Sequence, residues 1–250
     1  MNLELRDVHC RYGSREAIAG VTVSATGGSV VALIGNNGSG KTTLLRACAG
    51  LRSVEQGQVL LDGAGVAELG VWSRARRMVF VPQRPSLSAD FSVRDVVALG
   101  RYPWGGELLP NGEIDTTLAR VGAAEFADRR FDELSAGERQ RVVLARAVTQ
   151  LGPNGMAVLD EPFSAMDAPT MVRCGVVLRE LAKGGALVLV ALHDIPFAAS
   201  IADDVWWLRD GHLAAAGRAE SVLAPDALSE HFGSQFELLG GDLIVRYARA

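Results

Sequence analysis

The stretch GNNGSGKTT at residues 35–43 has the glycine spacing and the lysine of a phosphate-binding loop. Its glycines allow backbone N–H groups to wrap a polyphosphate, while Lys41 brings a positive charge to the β and γ oxygens. Thr42 offers a hydroxyl group to a Mg²⁺ ion that accompanies the nucleotide. The other loop residues that we expect to contact the nucleotide are Gly35, Asn36, Asn37, Gly38, Ser39, Gly40 and Thr43.

The loop lies between an apolar run and a helical pattern. SVVALI, residues 29–34, precedes it and TTLLRACAGL follows it, as a strand–loop–helix unit requires. In such a unit the N-terminus of the helix faces the phosphates, and its dipole favours negative charge there. Because strand, loop, lysine and helix are all in register, a chance glycine-rich turn does not account for the pattern.

Two carboxylates end another apolar run. MAVL, residues 156–159, is followed by Asp160 and Glu161. Asp160 could hold Mg²⁺, and Glu161 could polarise the water that attacks the γ-phosphate, a role typically worth about 10²–10⁴-fold in rate. Adjacent carboxylates also occur in solvated loops, so the pair alone leaves both interpretations open. A phosphate loop in the same sheet favours the catalytic interpretation.

Two further positions could complete such a site. ALVLVAL, residues 186–192, is followed by His193. If its strand belongs to the same sheet, this histidine would point into the crevice at the carboxyl ends of the strands. LSAGERQ, residues 134–140, predicts a helix start in which Ser135 caps the helix and Glu138 reaches back to the N–H group of the cap. Such a start is an anion site, but it has no lysine of its own.

The elements that must position these residues alternate along the chain. Short apolar runs are separated by helical patterns, which predicts an α/β fold with a mainly parallel sheet and helices on both faces. The residues that could do chemistry should then meet at the carboxyl ends of the strands. The runs are SVVALI, MVFV, MAVL, ALVLVAL and VWWL.

Two parts of the chain depart from this alternation toward antiparallel structure. VHCRY (8–12) and VLLDG (59–63) predict an N-terminal antiparallel β subdomain. LRDGHLAAAG (208–217) predicts a hairpin that turns at Asp210-Gly211, because this dipeptide suits the tight turn of a hairpin.

A third part lacks strand signals. Between Gln83 and Leu134 the patterns are helical. We therefore expect a single domain over residues 1–250, with a helical subdomain at about 84–150 inserted in the α/β core. No repeat, low-complexity tract or long linker divides the chain.

The composition limits the classes of function. The chain has 250 residues, 48% of them apolar, and its formal charge of −4 gives no general reason to bind nucleic acid or an anionic membrane. Three scattered cysteines predict neither a disulfide framework nor a zinc centre, and suit a reducing cytosol. The apolar stretches are far shorter than the roughly 20 residues of a bilayer span, and the charged start MNLELRDV is unlike a signal peptide. Any membrane role is expected to be peripheral.

Taken together, these motifs resemble those of the ATPase subunits of ATP-binding cassette (ABC) transporters, over essentially the whole chain and in the family's order. The resemblance implies a P-loop NTPase (RecA-like) core in which GNNGSGKTT is the Walker A loop, MAVLDE the Walker B motif and LSAGERQ the signature motif. It also implies roles that residue types alone do not give. Tyr12 would stack on adenine, Gln83 would complete the Mg²⁺ and water site, His193 would be the switch histidine, and SAMD (164–167) would be the D-loop that ends at Asp167.

In this family two subunits bind head to tail, and each ATP lies between the Walker A loop of one and the signature motif of the other. The resemblance therefore implies a homodimer that uses ATP and Mg²⁺, with Ser135, Gly137 and Glu138 closing the site of the partner copy. Ala136 stands where the family often has glycine and Met166 where leucine is usual, and both changes in size are small.

The resemblance also implies partners and a location. The partners are integral membrane permease subunits and, indirectly, a periplasmic or extracellular substrate-binding protein; nucleic acid is not expected. The location is the cytoplasmic side of the inner membrane. SVRDVVALGRYPW (92–104) and HDIPFAASIADDVWWLRDGHLAAAG (193–217) are similar to ATPases of importers for iron–siderophore complexes, haem and cobalamin.

Three alternatives remain open to different degrees. Another cargo is compatible with the sequence, because the ATPase of such a transporter does not touch the cargo. A soluble ABC ATPase acting on nucleic acid or ribosomes would usually have two cassettes or a coiled-coil insertion. A P-loop kinase would have no use for LSAGERQ.

Overall fold

The structure is a computed structural model that describes residues 1–87, 90–106, 112–232, 235–239 and 242–246. Its strands are β1 (Asn2–Tyr12), β2 (Arg15–Thr26), β3 (Val30–Ile34), β4 (Gln56–Leu61), β5 (Ala64–Gly65), β6 (Met78–Val81), β7 (Met156–Asp160), β8 (Leu187–Ala191), β9 (Asp204–Arg209), β10 (His212–Arg218), β11 (Gln235–Leu239) and β12 (Asp242–Arg246). Its helices are α1 (Lys41–Cys48), α2 (Val71–Arg77), α3 (Val93–Ala98), α4 (Glu113–Arg120), α5 (Ala136–Gln150), α6 (Ala168–Lys183), α7 (Ile195–Ile201), α8 (Ala219–Val222) and α9 (Pro225–Phe232).

The central sheet has the strand order β10-β9-β3-β8-β7-β6. All neighbouring pairs from β9 to β6 are parallel, and only β10 runs antiparallel, as the second strand of a hairpin with β9. Strands β3, β7 and β8 are buried at every position, which is why they read as continuous apolar runs. The sheet confirms the predicted α/β fold.

Strand β3 divides its side chains between two hydrophobic cores. Val30, Ala32 and Ile34 pack into a core that includes residues of α3, α5, α6 and α7. Val31 and Leu33 pack into the other core, which includes residues of β1, β2 and α1. Since neighbouring residues of a strand point to opposite faces, the central sheet is covered on both sides, with α1 between it and the N-terminal strands.

The N-terminal strands form a second sheet of order β2-β1-β4-β5, and its pairs are antiparallel. VHCRY and VLLDG belong to β1 and to the end of β4, so the antiparallel prediction for them is confirmed. The hairpin of β9 and β10 turns where it was expected, because Asp210 and Gly211 both have positive φ, 49° and 81°.

The segment between β6 and β7 contains α3, α4, α5 and short 3₁₀ turns, with only an isolated bridge between Ser92 and Arg130 among its described residues. Residues 88–89 and 107–111 of the expected helical subdomain lie outside the described residues. The division into domains therefore stays a prediction. No helix in the described part of the chain is long and apolar enough to cross a bilayer.

Candidate active site

The phosphate loop joins the end of β3 to the start of α1, as predicted. Gly35, Gly38 and Gly40 have φ values of 148°, 80° and 107°, which residues with a Cβ atom rarely adopt. A Cβ atom on Gly35 would lie 2.3 Å from the carbonyl oxygen of Leu208, and one on Gly40 would lie 2.6 Å from that of Ala17. The loop can therefore approach β2 and β9 only because these positions have no side chain.

Lys41 lies buried across the loop, with 5% of its surface exposed. Its Nζ atom donates to the carbonyl oxygens of Gly35 at 2.8 Å and Asn36 at 3.2 Å. Burial lowers the pKa of Lys41, while the nearby carboxylates of Glu161 and Asp160 act in the opposite direction. The loop thus holds an ammonium group where the phosphates of a nucleotide would lie.

Thr42 and Asp160 bring two side-chain oxygen atoms together next to the phosphate loop. The hydroxyl group of Thr42 donates to Oδ1 of Asp160 at 3.1 Å. Burial raises the pKa of Asp160, and the hydrogen bond from Thr42 opposes that shift. No group of three or more His, Cys, Asp or Glu side chains that could hold a metal occurs among the described residues. One carboxylate and one hydroxyl group fit Mg²⁺, which takes its other ligands from phosphates and water.

Glu161 is held between two side chains that sequence analysis had placed in the same site. Nε2 of Gln83 donates to Oε2 of Glu161 at 2.6 Å, and Nε2 of His193 contacts Oε1. Only 12% of the Glu161 side chain is exposed, against 42% of the His193 side chain. The carboxylate therefore has a fixed orientation, and the histidine reaches it from the solvent side.

One cavity of about 420 Å³ connects these residues to Tyr12. Its lining includes Tyr12 together with Lys41, Thr42, Gln83 and Glu161. A larger cavity, about 720 Å³, lies between α7, α8 and the end of β10, and none of the predicted site residues lines it. We locate the site in the smaller cavity because the charged groups converge there.

The signature motif begins α5 as a capping box. Ser135 is the N-cap, its oxygen accepts from the N–H group of Glu138 at 3.3 Å, and its own N–H group donates to Oε2 of Glu138 at 2.7 Å. A Cβ atom on Gly137 would lie 2.3 Å from the carbonyl oxygen of Ala165, so α5 packs tightly on the D-loop. Asp167 caps α6 by accepting from the N–H group of Thr170 at 3.0 Å.

The structure does not bring the signature motif into the cavity of the phosphate loop. Ser135, Gly137, Glu138 and Asp167 are absent from its lining. Ser135 is instead exposed on the surface, where a second molecule can reach it.

Sequence analysis missed Gln140 and Arg15. Gln140 is buried in α5; its Nε2 atom donates to the carbonyl oxygen of Gln83 at 3.2 Å and to Oγ of Ser164 at 3.0 Å. Its Oε1 atom accepts from the N–H group of Ala165 at 3.2 Å. A glutamine in helical register with the apolar residues 143, 144 and 147 was the available signal. Arg15 lines the cavity, and nothing in its sequence context marks it.

The fold and this geometry define a class. A parallel sheet that presents a phosphate loop and a pair of carboxylates at the carboxyl ends of its strands is a P-loop nucleoside triphosphatase fold. A family model described as ABC transporter matches residues 18–164. The chain belongs to the ABC transporter family, as the motifs indicated.

Named relatives extend over most of the chain. It is 40% identical over 229 residues to the hemin import ATP-binding protein HmuV of Streptomyces coelicolor, covering 90% of this chain and 81% of that one. It is 37% identical over 239 residues to the cobalamin import ATP-binding protein BtuD of Halobacterium salinarum, covering 94% of this chain. The chain spans 60% of the length of the latter protein.

A solved structure shares the fold. The dimeric, post-hydrolysis state of the ATP-binding cassette MJ0796, bound to ADP and phosphate, superposes with a TM-score of 0.78. The two chains are 24% identical, and the match covers 87% of this chain and 98% of that one.

Proposed function

We propose that this chain is the ATP-binding and ATP-hydrolysing subunit of an ABC importer. The observation that carries the proposal is the position of Glu161. Its carboxylate is bound by Gln83 and His193 and lines the cavity that Lys41 and Thr42 also line. Thr42 in turn bonds to Asp160.

The residues divide the work of hydrolysis between them. The loop N–H groups and Lys41 bind the β- and γ-phosphates, and Tyr12, which lines the same cavity, stacks on adenine. Thr42 and Asp160 would hold Mg²⁺, which neutralises phosphate charge when it is bound. Glu161 accepts a proton from a water molecule as the water oxygen bonds to the γ-phosphorus. The bond from that phosphorus to the bridging oxygen breaks, which leaves ADP and inorganic phosphate. Gln83 and His193 orient the carboxylate and the γ-phosphate.

The exposed signature motif supports a second copy of the chain as the partner. The capped start of α5 offers N–H groups and a helix dipole to an anion, and it lies outside the chain's own nucleotide cavity. In a head-to-tail homodimer, Ser135, Gly137 and Glu138 close the site of the other copy. A cassette with the same fold, solved as a dimer bound to ADP and phosphate, supports a dimer here.

The names of the relatives support a cargo of the metal-chelate type, such as an iron–siderophore complex, haem or cobalamin. In this proposal the chain lies at the cytoplasmic face of the inner membrane and binds a permease, and an external substrate-binding protein acts through that permease. An ABC ATPase for another cargo is the second candidate, because no residue of the described site would touch the cargo.

An exposed aromatic surface could receive the permease. The rings of Trp72 and Tyr102 lie 5.5 Å apart, and 54% and 64% of these residues are exposed. The guanidinium groups of Arg76 and Arg101 lie over the adjacent Trp104 ring. Apolar area with basic groups beside it suits an acidic, partly apolar cytoplasmic segment of the permease.

The proposal is tested with the Glu161→Gln variant. The amide keeps the shape of the carboxylate but cannot accept the proton, so ATP binding should persist while turnover is lost. Full hydrolysis by this variant would show that Glu161 is not the base.

The same variant tests the dimer. Light scattering in Mg²⁺-free ATP should show a dimer, and a Ser135→Arg substitution added to it should restore the monomer. A dimer that Ser135→Arg does not affect would contradict the role of the signature motif.

A further inference from the structure

Tyr12 lies at the end of β1, where the pairing of β1 with β4 has stopped. The β1–β4 ladder shifts register after Arg6 and ends at the pair of His9 with Gln56. Beyond this point the backbone partners of β1 belong to β2 alone among the paired residues. The end of β1 is therefore paired on its β2 edge only, and its other edge needs different contacts to hold it in place.

Two side chains from the loop before β4 replace the missing ladder. The N–H group of Arg11 donates to Oε2 of Glu55 at 3.0 Å, and Nη2 of Arg52 donates to the carbonyl oxygen of Arg11. Arg52 and Glu55 also pair with each other at 3.3 Å. Both backbone polar groups of the residue that precedes Tyr12 are thus bound by one ion pair.

The same arginine contacts the tyrosine ring. Cζ of Arg52 lies 4.3 Å from the centroid of the Tyr12 ring, within the range of a cation–π interaction. Tyr12 lines the nucleotide cavity, and Arg52 is not among the residues that line it. The guanidinium group covers one face of the ring, while nearly half of Tyr12 stays exposed.

We propose that Arg52 and Glu55 form a clamp that positions Tyr12 for the adenine of ATP. The inference rests on the proposed function, because it assigns Tyr12 to adenine. Nearly half of Tyr12 is exposed, 47%, so without the clamp its side chain would lose rotational freedom whenever a base stacked on it. The clamp fixes the ring beforehand, and it contributes to the affinity for the base but not for the phosphates.

The test compares the binding of ATP and of inorganic tripolyphosphate, which has no base, to the whole chain without Mg²⁺. Arg52→Gln should weaken ATP binding by about twofold to fivefold and leave tripolyphosphate binding unchanged. Arg52→Lys keeps the charge but not the planar guanidinium group, so its affinity for ATP should lie between those of the wild type and Arg52→Gln. Arg120→Gln is the matched control, because it removes another exposed ion pair, with Glu180 at 2.7 Å. Arg120→Gln should bind ATP and tripolyphosphate like the wild type. Thermal unfolding of each variant checks that the variant is folded.

A double-mutant cycle separates the clamp from the proposed function. If Arg52 acts through the ring, Arg52→Gln should cause no further loss of ATP affinity in the Tyr12→Ala background. Losses that add, or an equal loss of tripolyphosphate affinity, would overturn the clamp. If Tyr12→Ala weakens ATP binding and Arg52→Gln does not, the clamp is wrong and the nucleotide site stands. If Tyr12→Ala leaves ATP affinity unchanged, the adenine site itself is wrong and the clamp fails with it.

Discussion

Glu161, the proposed catalytic base, shows how strain and contacts fix a single side chain. Its φ of 49° is in the left-handed region, which costs about 1–2 kcal/mol for a residue with a Cβ atom. That conformation follows directly on the last residue of β7 and turns the side chain toward Gln83 and His193. The rest of the fold must supply this energy, as at other strained functional positions.

The residues of the site differ in how far the sequence could predict them. Lys41, Asp160 and His193 were predictable from their types, because strands of one parallel sheet end at the same edge. Gln83 and Tyr12 needed the resemblance to a family, since a lone glutamine or tyrosine in a loop has no chemical signature. The contacts of Gln140 and Arg52 depend on segments far apart in the chain, so no local pattern could reveal them.

The hydroxyl group of Thr42 gives a prediction at this scale. Thr42→Val has nearly the same shape but lacks the oxygen that bonds to Asp160, so the Mg²⁺ site should lose a ligand. We expect the Mg²⁺ concentration that half-saturates hydrolysis to rise about tenfold or more. Thr42→Ser keeps the hydroxyl group and is the control. Equal Mg²⁺ dependence of the Val and Ser variants would exclude Thr42 as a ligand.

At the scale of elements, the buried strands were predicted well, whereas the half-exposed strand β2 was missed. The runs MVFV and MAVL correspond to β6 and β7 because burial on both faces selects apolar residues at every position. Strand β2 escaped notice, since few of its positions are fully buried and Ala and Gly interrupt its pattern. The hairpin of β11 and β12 was not predicted either.

The stability of helix α5 is predicted to depend on pH through its capping box. The N–H group of Ser135 is the main cause that lowers the pKa of Glu138, with a further contribution from the Ser135 side chain. A carboxylate with a lowered pKa stabilises the fold fully above its unfolded value, about 4.3, and this contribution is lost as the pH falls through the folded value. Because 23% of the Glu138 side chain is exposed, solvent screening limits the effect to at most about 1 kcal/mol.

Urea unfolding of Glu138→Gln checks this prediction. The wild type should be the more stable protein at about pH 7, and the difference should shrink toward about pH 3 as Glu138 becomes protonated. Glu133→Gln changes a neighbouring carboxylate outside the capping box, and it should show no such trend. A stability difference for Glu138→Gln that stays constant over the whole range would mean that the charge of Glu138 does not stabilise α5.

For the whole molecule, the arrangement of loops around the central sheet separates the two proposed anion sites. The phosphate loop lies at the carboxyl end of β3, in the middle of the sheet. The signature motif begins α5, which packs in the core on the opposite face from α1. Gln140 ties α5 to the loops at Gln83 and Ser164, so the two sites keep a fixed relation within one chain. In the proposed homodimer, a second copy brings the signature motif to the phosphate loop.

A head-to-tail dimer predicts complementation between two inactive chains. Lys41→Ala removes the phosphate loop's charge and Ser135→Arg blocks the signature motif, so each variant alone should have no complete site. In a mixed dimer, the intact phosphate loop of one chain meets the intact signature motif of the other, which makes one working site. If pairing is random, half of the dimers are mixed, and an equal mixture should regain at most about one quarter of the wild-type ATPase activity.

The control for complementation is a chain that has both substitutions. Mixed with the Lys41→Ala variant it leaves no intact phosphate loop in any dimer, and it should restore no hydrolysis. Recovery in the first mixture but not in the second would require that each ATP is bound by two chains. If wild-type chains hydrolyse ATP and the first mixture stays inactive, the two anion sites do not act in trans, and the exposure of Ser135 would need another explanation.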